Sequence, residues 1–519
     1  MTFPTHALSE ASIKSGKDGA RRWLEPPLWA LAALAALVWL VRYTAKHGLH
    51  LASPPYWANF FDQSRYIASA QAFAHGDLSA GAHWYPLAYP LLAAPFIRII
   101  PQEPFFLPDL ALFVATMLTF ATTMRRLGVS TFAASLLFLL GDMPIRGISK
   151  LWTEPWTTSL SAPLLWGLIA LMLSIVEPPA GRAPPRPRAM FMLGLLAGAL
   201  PLVRPTDGLT GTIAILFAIT MLWRHGRLRM AGLGWLVLGG LVLCAPYLLL
   251  HLLIYGPHAS EYARAAANQG FAFADLPWKA YVLLITASPW FPGSPSLVEA
   301  MPWIIPGLAG LGIVWWKGDS RARLALTLIA LLAVPYSATF LAYTDLQPPG
   351  LWKFSNAHYF KWLFPLLTVG FWLWLRDLSS WRGAARAIMA LAIVLIPCLV
   401  RPMPLAVHDN VPARLLMFRG ATDRQWNEAY FSPATITDRQ GSMINVGRFH
   451  QVPDDHGERA VAVSRLFVGP AVRDDPEEAA PYRIAQKPYG RYAVRLSLGI
   501  PCWVRQQAAC RIPPPAPGT

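Results

Sequence analysis

Apolar blocks long enough to cross a bilayer recur along most of this chain, with polar loops between them. A membrane-spanning helix needs about 20 predominantly apolar residues. Eleven spans are predicted near residues 26–43, 104–124, 129–145, 156–176, 189–203, 207–223, 231–254, 302–316, 323–342, 359–375 and 384–400. Two further apolar stretches, 84–100 and 281–291, either re-enter the membrane or add a span. Only 14% of the 519 residues are charged, against about 25% in a soluble domain. The sequence therefore predicts an all-α polytopic membrane protein.

The loops between these spans alternate in charge. If the N-terminal tail 1–25 is cytoplasmic, six basic clusters fall on the cytoplasmic side: Lys14 to Arg22, Arg125 and Arg126, Arg182 to Arg188, Arg224 to Arg229, Lys317 to Arg323, and Arg376 to Arg386. Cytoplasmic loops carry an excess of Lys and Arg. The net charge of +16 is thus explained by orientation in the cell (inner) membrane, and no nucleic-acid partner is expected. The first outer loop, 44–103, is expected to face away from the cytoplasm.

The C-terminal segment has a different composition. Residues 401–519 hold 26 charged residues, and the alternating runs Ala460 to Val468 and Tyr489 to Leu498 are typical of strands. We predict a small extracytoplasmic domain, β-rich or α+β, at 401–512, followed by a disordered Pro-rich tail at 513–519. Cys502 and Cys510 lie in this segment and are expected to pair, because extracytoplasmic compartments are oxidising.

The first outer loop carries the leading candidate for chemistry. Asp62, Arg65 and Tyr66 have the i, i+3, i+4 spacing that puts them on one face of a helix, and His83 and Tyr85 follow before a second aromatic and Pro-rich stretch. Such a helix could present the carboxylate to a cavity at the membrane surface. The competing interpretation is a surface ion pair between Asp62 and Arg65, which would stabilise little.

Charged residues also stand at the ends of three later spans. Glu154, four residues after Lys150, precedes a span, where an acid also suits the helix dipole. Arg204 follows an apolar run; a cation at membrane depth is a functional candidate by default, unless it reaches the interface along its aliphatic stem. A third group opens the tenth span and also fits an ordinary interfacial anchor: His358, Tyr359 and Lys361.

Taken in order, these segments resemble the GT-C superfamily of membrane glycosyltransferases, close to the protein O-mannosyltransferase and aminoarabinose-transferase group. The resemblance covers roughly residues 26–400. The segments that carry it are Phe-Phe-Asp62-Gln-Ser-Arg-Tyr, His83-Trp-Tyr-Pro-Leu-Ala-Tyr-Pro-Leu, Thr-Glu154-Pro, Gly198 to Thr206 around Arg204-Pro205, and His358 to Pro365. It implies a GT-C-like transmembrane domain that uses a polyprenyl-phosphate sugar and an extracytoplasmic acceptor, which could be a lipid, a glycan or a protein.

The resemblance also implies roles for individual residues. Asp62 would act as the catalytic base, and Glu154 would hold hydroxyl groups or orient a cation. The remaining candidates would bind substrate, either by stabilising the leaving phosphate (Arg204, Lys361, His358 when protonated and, more weakly, Arg65 and Lys150) or by lining the cavity (Tyr66, His83, Tyr85 and Tyr359). Many members have an acidic pair in the first loop, whereas position 63 is Gln. This difference counts against a bound divalent metal, and no cofactor is assigned.

Three other functions remain open from the sequence. A transporter or flippase of a lipid-linked or polar substrate also needs buried ions and broken helices, although the two related halves common in transporters are absent from the sequence pattern. A non-catalytic envelope-assembly subunit would fit the Gln at position 63. A polysaccharide polymerase or ligase would share the transfer chemistry.

The predicted orientation can be tested with reporter fusions. A reporter enzyme that works only outside the cytoplasm should be active when it is joined after residue 420. The basic clusters hold their loops on the cytoplasmic side and thereby fix the orientation of the chain. A reporter joined after Arg224 should give the opposite signal. Cytoplasmic activity of the fusion at 420 would overturn the orientation.

Overall fold

The computed structural model describes residues 26–47, 55–177, 183–269, 280–285, 295–343 and 355–379, with isolated residues between them, and the backbone of six strands between 400 and 498. Fifteen α-helices lie in these parts of the chain: α1 Leu28–His47, α2 Phe61–His75, α3 Ala88–Ala93, α4 Phe106–Met124, α5 Thr131–Asp142, α6 Arg146–Thr153, α7 Thr157–Val176, α8 Pro187–Val203, α9 Asp207–Arg224, α10 Met230–Tyr255, α11 Glu261–Gln269, α12 Leu297–Ala300, α13 Ile304–Lys317, α14 Ser320–Ala342 and α15 Phe364–Ser379.

The helices confirm the all-α membrane character of the described residues between 26 and 379. Five of those described are long and apolar enough to span a membrane (α1, α4, α7, α10 and α14), and α5 with α6 makes a sixth if a bend of 105° is counted as one broken span. Each of the first ten predicted spans overlaps a helix. The eleventh, 384–400, lies outside the described residues except for Val400, which begins a strand. The stretch 84–100 forms only α3 and the short 3-10 helix Ala94–Arg98. Residues 281–285 form a π-helix, and 286–291 lie outside the described residues.

Two helix pairs pack backbone to backbone through glycines. A Cβ atom added to Gly239 of α10 would lie 2.0 Å from the Phe191 carbonyl oxygen of α8, and one on Gly194 would lie 1.9 Å from the Leu236 carbonyl oxygen. The pair α13 and α15 is equally close, since a Cβ on Gly310 would lie 1.9 Å from the Gly370 oxygen. Small residues allow this close approach, which drives association where lipid removes the hydrophobic advantage.

Long-range contacts show which helix ends lie together. Tyr43, near the end of α1, donates to the Glu103 carboxylate just before α4 at 2.8 Å. Lys361, just before α15, donates to Ser159 at the start of α7 at 2.8 Å. Arg204, just after α8, lies 4.4 Å from the Phe340 ring near the end of α14. We call this the site end of the bundle, because the candidate residues lie there.

The opposite end carries basic residues, and we call it the basic end. Arg376 near the end of α15 donates to the Gly128 carbonyl, beyond the end of α4, at 3.1 Å. Lys317 at the end of α13 pairs with Asp377 at 3.0 Å. The 19 residues of α4 separate the two ends by about 28 Å, close to the hydrocarbon thickness of a bilayer.

The C-terminal segment contains strands. Their ranges are β1 Val400–Phe418, β2 Asn445–Val446, β3 His450–Pro453, β4 Arg459–Val463, β5 Leu466–Phe467 and β6 Tyr482–Leu498. One antiparallel sheet has the order β3-β4-β1-β6, and β2 pairs with β5. β4, β5 and β6 fall on the two runs predicted to be strands. The extent of a separate domain stays a prediction, and Cys502 and Cys510 lie outside the described residues.

The glycine contact between α8 and α10 can be tested by adding one methyl group. Gly239→Ala should lower the unfolding temperature in detergent, because its Cβ meets a carbonyl oxygen and overpacking costs about 1–3 kcal/mol. Gly234→Ala in the same helix is the matched control, since a Cβ there meets nothing within 4 Å and alanine favours helix. Equal melting temperatures for the two variants would show that the close packing is absent.

Candidate functional site

Asp62 lies in a cluster of tyrosines at the site end. It occupies the first turn of α2 and is half-buried. The Tyr85 hydroxyl donates to its Oδ1 atom. The Tyr85 ring contacts Tyr66 at 4.7 Å and Tyr262 of α11 at 5.0 Å between centroids. Burial and the Asp62 carboxylate raise the pKa of Tyr66 and of Tyr85 well above the usual value, so both phenols remain protonated donors near neutral pH.

Arg204 lies inside the bundle, with only 4% of its surface exposed. Its guanidinium stacks over the Phe340 ring at 4.4 Å and over the Tyr359 ring at 4.6 Å. The Nη1 atom is buried and has no hydrogen-bond partner. The nearby carboxylate of Asp207 interacts with it electrostatically, but accepts its hydrogen bond from Ser161 at 2.5 Å and leaves its Oδ1 atom without a partner. An unpaired donor on a buried cation is costly, and a ligand oxygen would satisfy it.

Tyr66 interacts electrostatically with both the carboxylate and the guanidinium. It is buried in α2 and lies within electrostatic range of Asp62, Tyr359 and Arg204. The base candidate and the buried cation, 142 positions apart in the sequence, therefore belong to one cluster.

Glu154 is the centre of a second cluster. It is fully buried directly after α6. Its Oε1 atom accepts from Tyr56 and lies 3.5 Å from Lys46 Nζ. Its Oε2 atom accepts from Ser355 at 3.5 Å and lies 3.8 Å from Lys150 Nζ. Two partly exposed lysines thus share one carboxylate, which leaves local positive charge at the site end.

Gln63 connects the two clusters. Its side-chain amide is 1% exposed and donates to the Pro155 carbonyl oxygen at 2.9 Å. The residues that precede these two partners are Asp62 and Glu154, so the contact holds the carboxylates on adjoining segments. The Gln at position 63, which differs from the acidic pair of the resembled group, therefore has a packing function in this chain.

His358 and Lys361 are both deeply buried, but neither is arranged as a simple phosphate ligand. The His358 ring stacks on Trp156 at 4.1 Å, and its Nδ1 atom lies 3.0 Å from the Thr158 hydroxyl. Burial, together with Arg204 and Lys361, holds the pKa of His358 well below its usual value. The ring is thus neutral near pH 7. The role that the sequence predicts for a protonated His358 stays a prediction.

The Lys361 ammonium is already engaged by the protein. It donates to the Leu151 carbonyl oxygen at 2.9 Å and to Ser159 at 2.8 Å, and it lies 4.6 Å from the Trp152 ring centroid. These contacts tie the turn before α15 to α6 and α7. In this arrangement Lys361 positions the helices around Glu154.

The two remaining first-loop candidates differ in burial. His83 is buried, with Ser69 Oγ at 2.7 Å from Nδ1 and the Asp77 carbonyl oxygen at 2.9 Å from Nε2. Both ring nitrogens are occupied, so this residue fixes the loop. Arg65 is exposed and lies over the rings of Phe61 and Trp84 at 5.4 and 5.7 Å, which places it at the rim.

Several residues of these clusters were missed by the sequence reasoning. Asp207 was the easiest of them to find from the sequence, since it stands three residues after Arg204 at the start of an apolar span. Lys46 and Tyr262 lie in polar surroundings with no distinguishing pattern. In the part of the chain that the structure describes, no three His, Cys, Asp or Glu residues are grouped so that they could hold a metal ion.

Comparison with known proteins gives structural matches alone. No family model and no curated protein matches the sequence. The structure is similar to two crystal structures of ArnT from Cupriavidus metallidurans, one bound to undecaprenyl phosphate and one in the apo state. Both are 15% identical, with TM-scores of 0.46 and 0.44, and the matches cover 72% and 73% of this chain but only 64% of each ArnT chain.

The contact from Gln63 to Pro155 can be tested through stability. Gln63→Ala should destabilise the chain by about 1–3 kcal/mol, because it leaves a buried carbonyl oxygen without its donor. Gln71→Ala on the exposed face of the same helix is the control and should unfold like the wild type. Thermal unfolding in detergent separates the two outcomes, and indistinguishable curves would refute the packing function of Gln63.

Proposed function

We propose that the chain is a membrane glycosyltransferase that moves a sugar from a polyprenyl-phosphate carrier to an extracytoplasmic acceptor. The observation that carries this proposal is that a half-buried carboxylate, Asp62, and a buried guanidinium with an unpartnered Nη1 atom, Arg204, both interact electrostatically with the buried Tyr66. Undecaprenyl phosphate is named in one of the similar structures. The choice of a lipid phosphate for this chain rests on the site itself and on the sequence segments.

Such a reaction needs a single base. A glycoside hydrolase uses an acid to protonate the leaving oxygen and a second carboxyl group for the other half of the reaction. A lipid phosphate leaves as an anion and needs no proton from the enzyme. Asp62 takes the proton of an acceptor hydroxyl while that oxygen attacks the anomeric carbon and the bond to the phosphate oxygen breaks. Direct displacement inverts the anomeric configuration.

The departing phosphate gains negative charge, and Arg204 is the group placed to receive it. A fixed cation in a water-poor site stabilises developing charge more than it would in water. The rings of Phe340 and Tyr359 hold the guanidinium plane in place, so little reorganisation is needed when charge develops. Tyr85, which donates to Asp62, and the neighbouring Tyr66 would supply neutral hydroxyls to sugar oxygens.

The Glu154 cluster is proposed to bind the acceptor or the sugar hydroxyls. Its carboxylate is fully buried, but the two lysines that hold it, Lys46 and Lys150, are each about one-fifth exposed and are open to a ligand. We further propose that the chain lies in the cell (inner) membrane with its N-terminus cytoplasmic. The C-terminal segment then stands on the side of the acceptor and could bind it or cover the site.

Two alternatives make different demands on the same residues. A transporter or flippase would need Arg204 for binding but would not need a base. A non-catalytic assembly subunit would need neither group for chemistry. The carboxylate therefore distinguishes the enzyme from both, whereas a polysaccharide polymerase or ligase is separated from other transferases by its product.

Asp62→Asn tests the proposed base. The change keeps the size of the side chain and removes its basicity, so transfer should fall at least about 100-fold. Transfer is measured as label moved from the polyprenyl-phosphate sugar pool into envelope lipids, glycans and proteins. The control is Asp77→Asn, because Asp77 is an exposed turn residue that accepts from the Ser79 N–H at 2.8 Å. Near-normal transfer by Asp62→Asn, together with loss in Glu154→Gln, would move the base to Glu154. If Asp62→Asn, Asp77→Asn and Glu154→Gln each rescue the phenotype of a deletion strain, the hypothesis that the chain is an enzyme is rejected.

Arg204→Lys tests the phosphate contact. Lysine keeps the charge but lacks the planar fork that offers two parallel N–H groups to phosphate oxygens. Transfer should therefore fall at least about tenfold. The control is Arg98→Lys, an exposed arginine at the same end of the bundle. Equal transfer rates for the two variants would show that Arg204 contributes charge alone or lies outside the reaction path.

A further inference from the structure

The basic end of the bundle holds two adjoining cavities, about 28 Å from the candidate site along α4. The first encloses about 500 Å³ and the second about 420 Å³. They share Arg126, Gly128 and Asp319 in their walls. Neither cavity takes part in the proposed transfer reaction, so the function of the two cavities needs a separate explanation.

Basic side chains from four parts of the chain converge on these cavities. Arg125, Arg126 and Arg321 line the first, and Lys317 and Arg376 join in the second. The carboxylates in the walls are Asp319 and Asp377, and Asp319 also caps α14 by accepting from the Ala322 N–H at 2.8 Å. Even with Glu177, which pairs with Arg126 at 2.5 Å, basic groups exceed acidic groups by two. The positive-inside rule explains basic loops but does not explain their convergence around a shared space.

Two of these cations remain available to a ligand. Within the described residues, Arg125 and Arg321 are exposed and form no ion pair. Lys317, by contrast, is held by Asp377 at 3.0 Å. An anion entering the first cavity would therefore meet two free guanidinium groups without breaking an existing pair.

The position and the walls of the cavities favour a lipid over a soluble anion. Trp315 and Trp316, beside Lys317, are 49% and 80% exposed, as expected of an aromatic belt at the membrane–water interface. Leu173 in the first cavity and Ile313 and Val314 in the second supply apolar walls beside the basic groups. Phosphate and adjoining acyl chains would each meet a matching surface.

We propose that these two cavities bind the phosphate headgroup of an anionic phospholipid. Basic pockets between transmembrane helices on the cytoplasmic side are a general mode of headgroup recognition. The bound lipid would contact the loop after α4, the end of α13, the start of α14 and the end of α15. This inference does not depend on the transferase proposal, since it concerns the other end of the bundle.

Native mass spectrometry of the full chain tests the proposal. The protein is reconstituted in phosphatidylcholine nanodiscs with added cardiolipin, and retained lipid is counted after transfer to neutral detergent. The double variant Arg125→Gln, Arg321→Gln should weaken cardiolipin retention on the order of tenfold or more. The matched control is Arg188→Gln, Arg224→Gln, which removes two exposed arginines from the same end but outside both cavities and should retain lipid like the wild type.

Two further measurements make each outcome decisive. Unfolding temperatures of the two double variants without cardiolipin should match, which excludes misfolding as the cause of lipid loss. Excess inorganic phosphate should not displace cardiolipin, because inorganic phosphate has no acyl chains to contact the apolar walls of the cavities. Equal lipid loss in both double variants would show that cardiolipin binds through the overall positive charge of this end, and it would overturn the proposal. Displacement of cardiolipin by inorganic phosphate would overturn it in favour of a soluble anion.

Discussion

Burial of charge inside a helical membrane bundle is the constraint on which the structure of the site end depends. Glu154, Arg204, Asp207 and Lys361 are each at most 4% exposed, in surroundings where an unpaired charge is expensive. Glu154 and Lys361 are compensated by contacts between helices distant in sequence, such as Lys361 to Ser159. Arg204 is compensated incompletely, because aromatic faces stabilise its charge but leave one N–H without an acceptor. The proposed binding role of Arg204 rests on that incomplete compensation.

The two ends of the bundle handle charge differently. At the site end four charged groups, Glu154, Arg204, Asp207 and Lys361, are withdrawn from water, and aromatic rings contact Arg204 and Lys361. At the basic end Arg125 and Arg321 remain exposed. A dry end is suited to chemistry on a developing anion, whereas a wet basic end is suited to orientation and to headgroup contact. The close glycine packing of α8 with α10 and of α13 with α15 holds the intervening helices as a unit.

Apolar length and flanking charge predicted the helical part of the fold well, because a span must satisfy its backbone hydrogen bonds within itself. The candidate site was harder to predict. Arg204 stood out because an apolar run isolated it, and Asp62 because of its aromatic neighbours. The surroundings of Lys361 and His358 could not be seen from sequence, since Leu151, Ser159 and Thr158 lie about 200 positions away. Asp207 was missed for the opposite reason, since an acid near the start of a helix has an ordinary explanation in the helix dipole.

The most direct test of the central claim is a structure of the full chain with a polyprenyl-phosphate sugar bound. We expect a phosphate oxygen to accept from Arg204 Nη1 and the anomeric carbon to face Asp62 beside the Tyr66 and Tyr85 hydroxyls. A phosphate bound between Lys46 and Lys150, with Arg204 Nη1 still unpartnered, would contradict it.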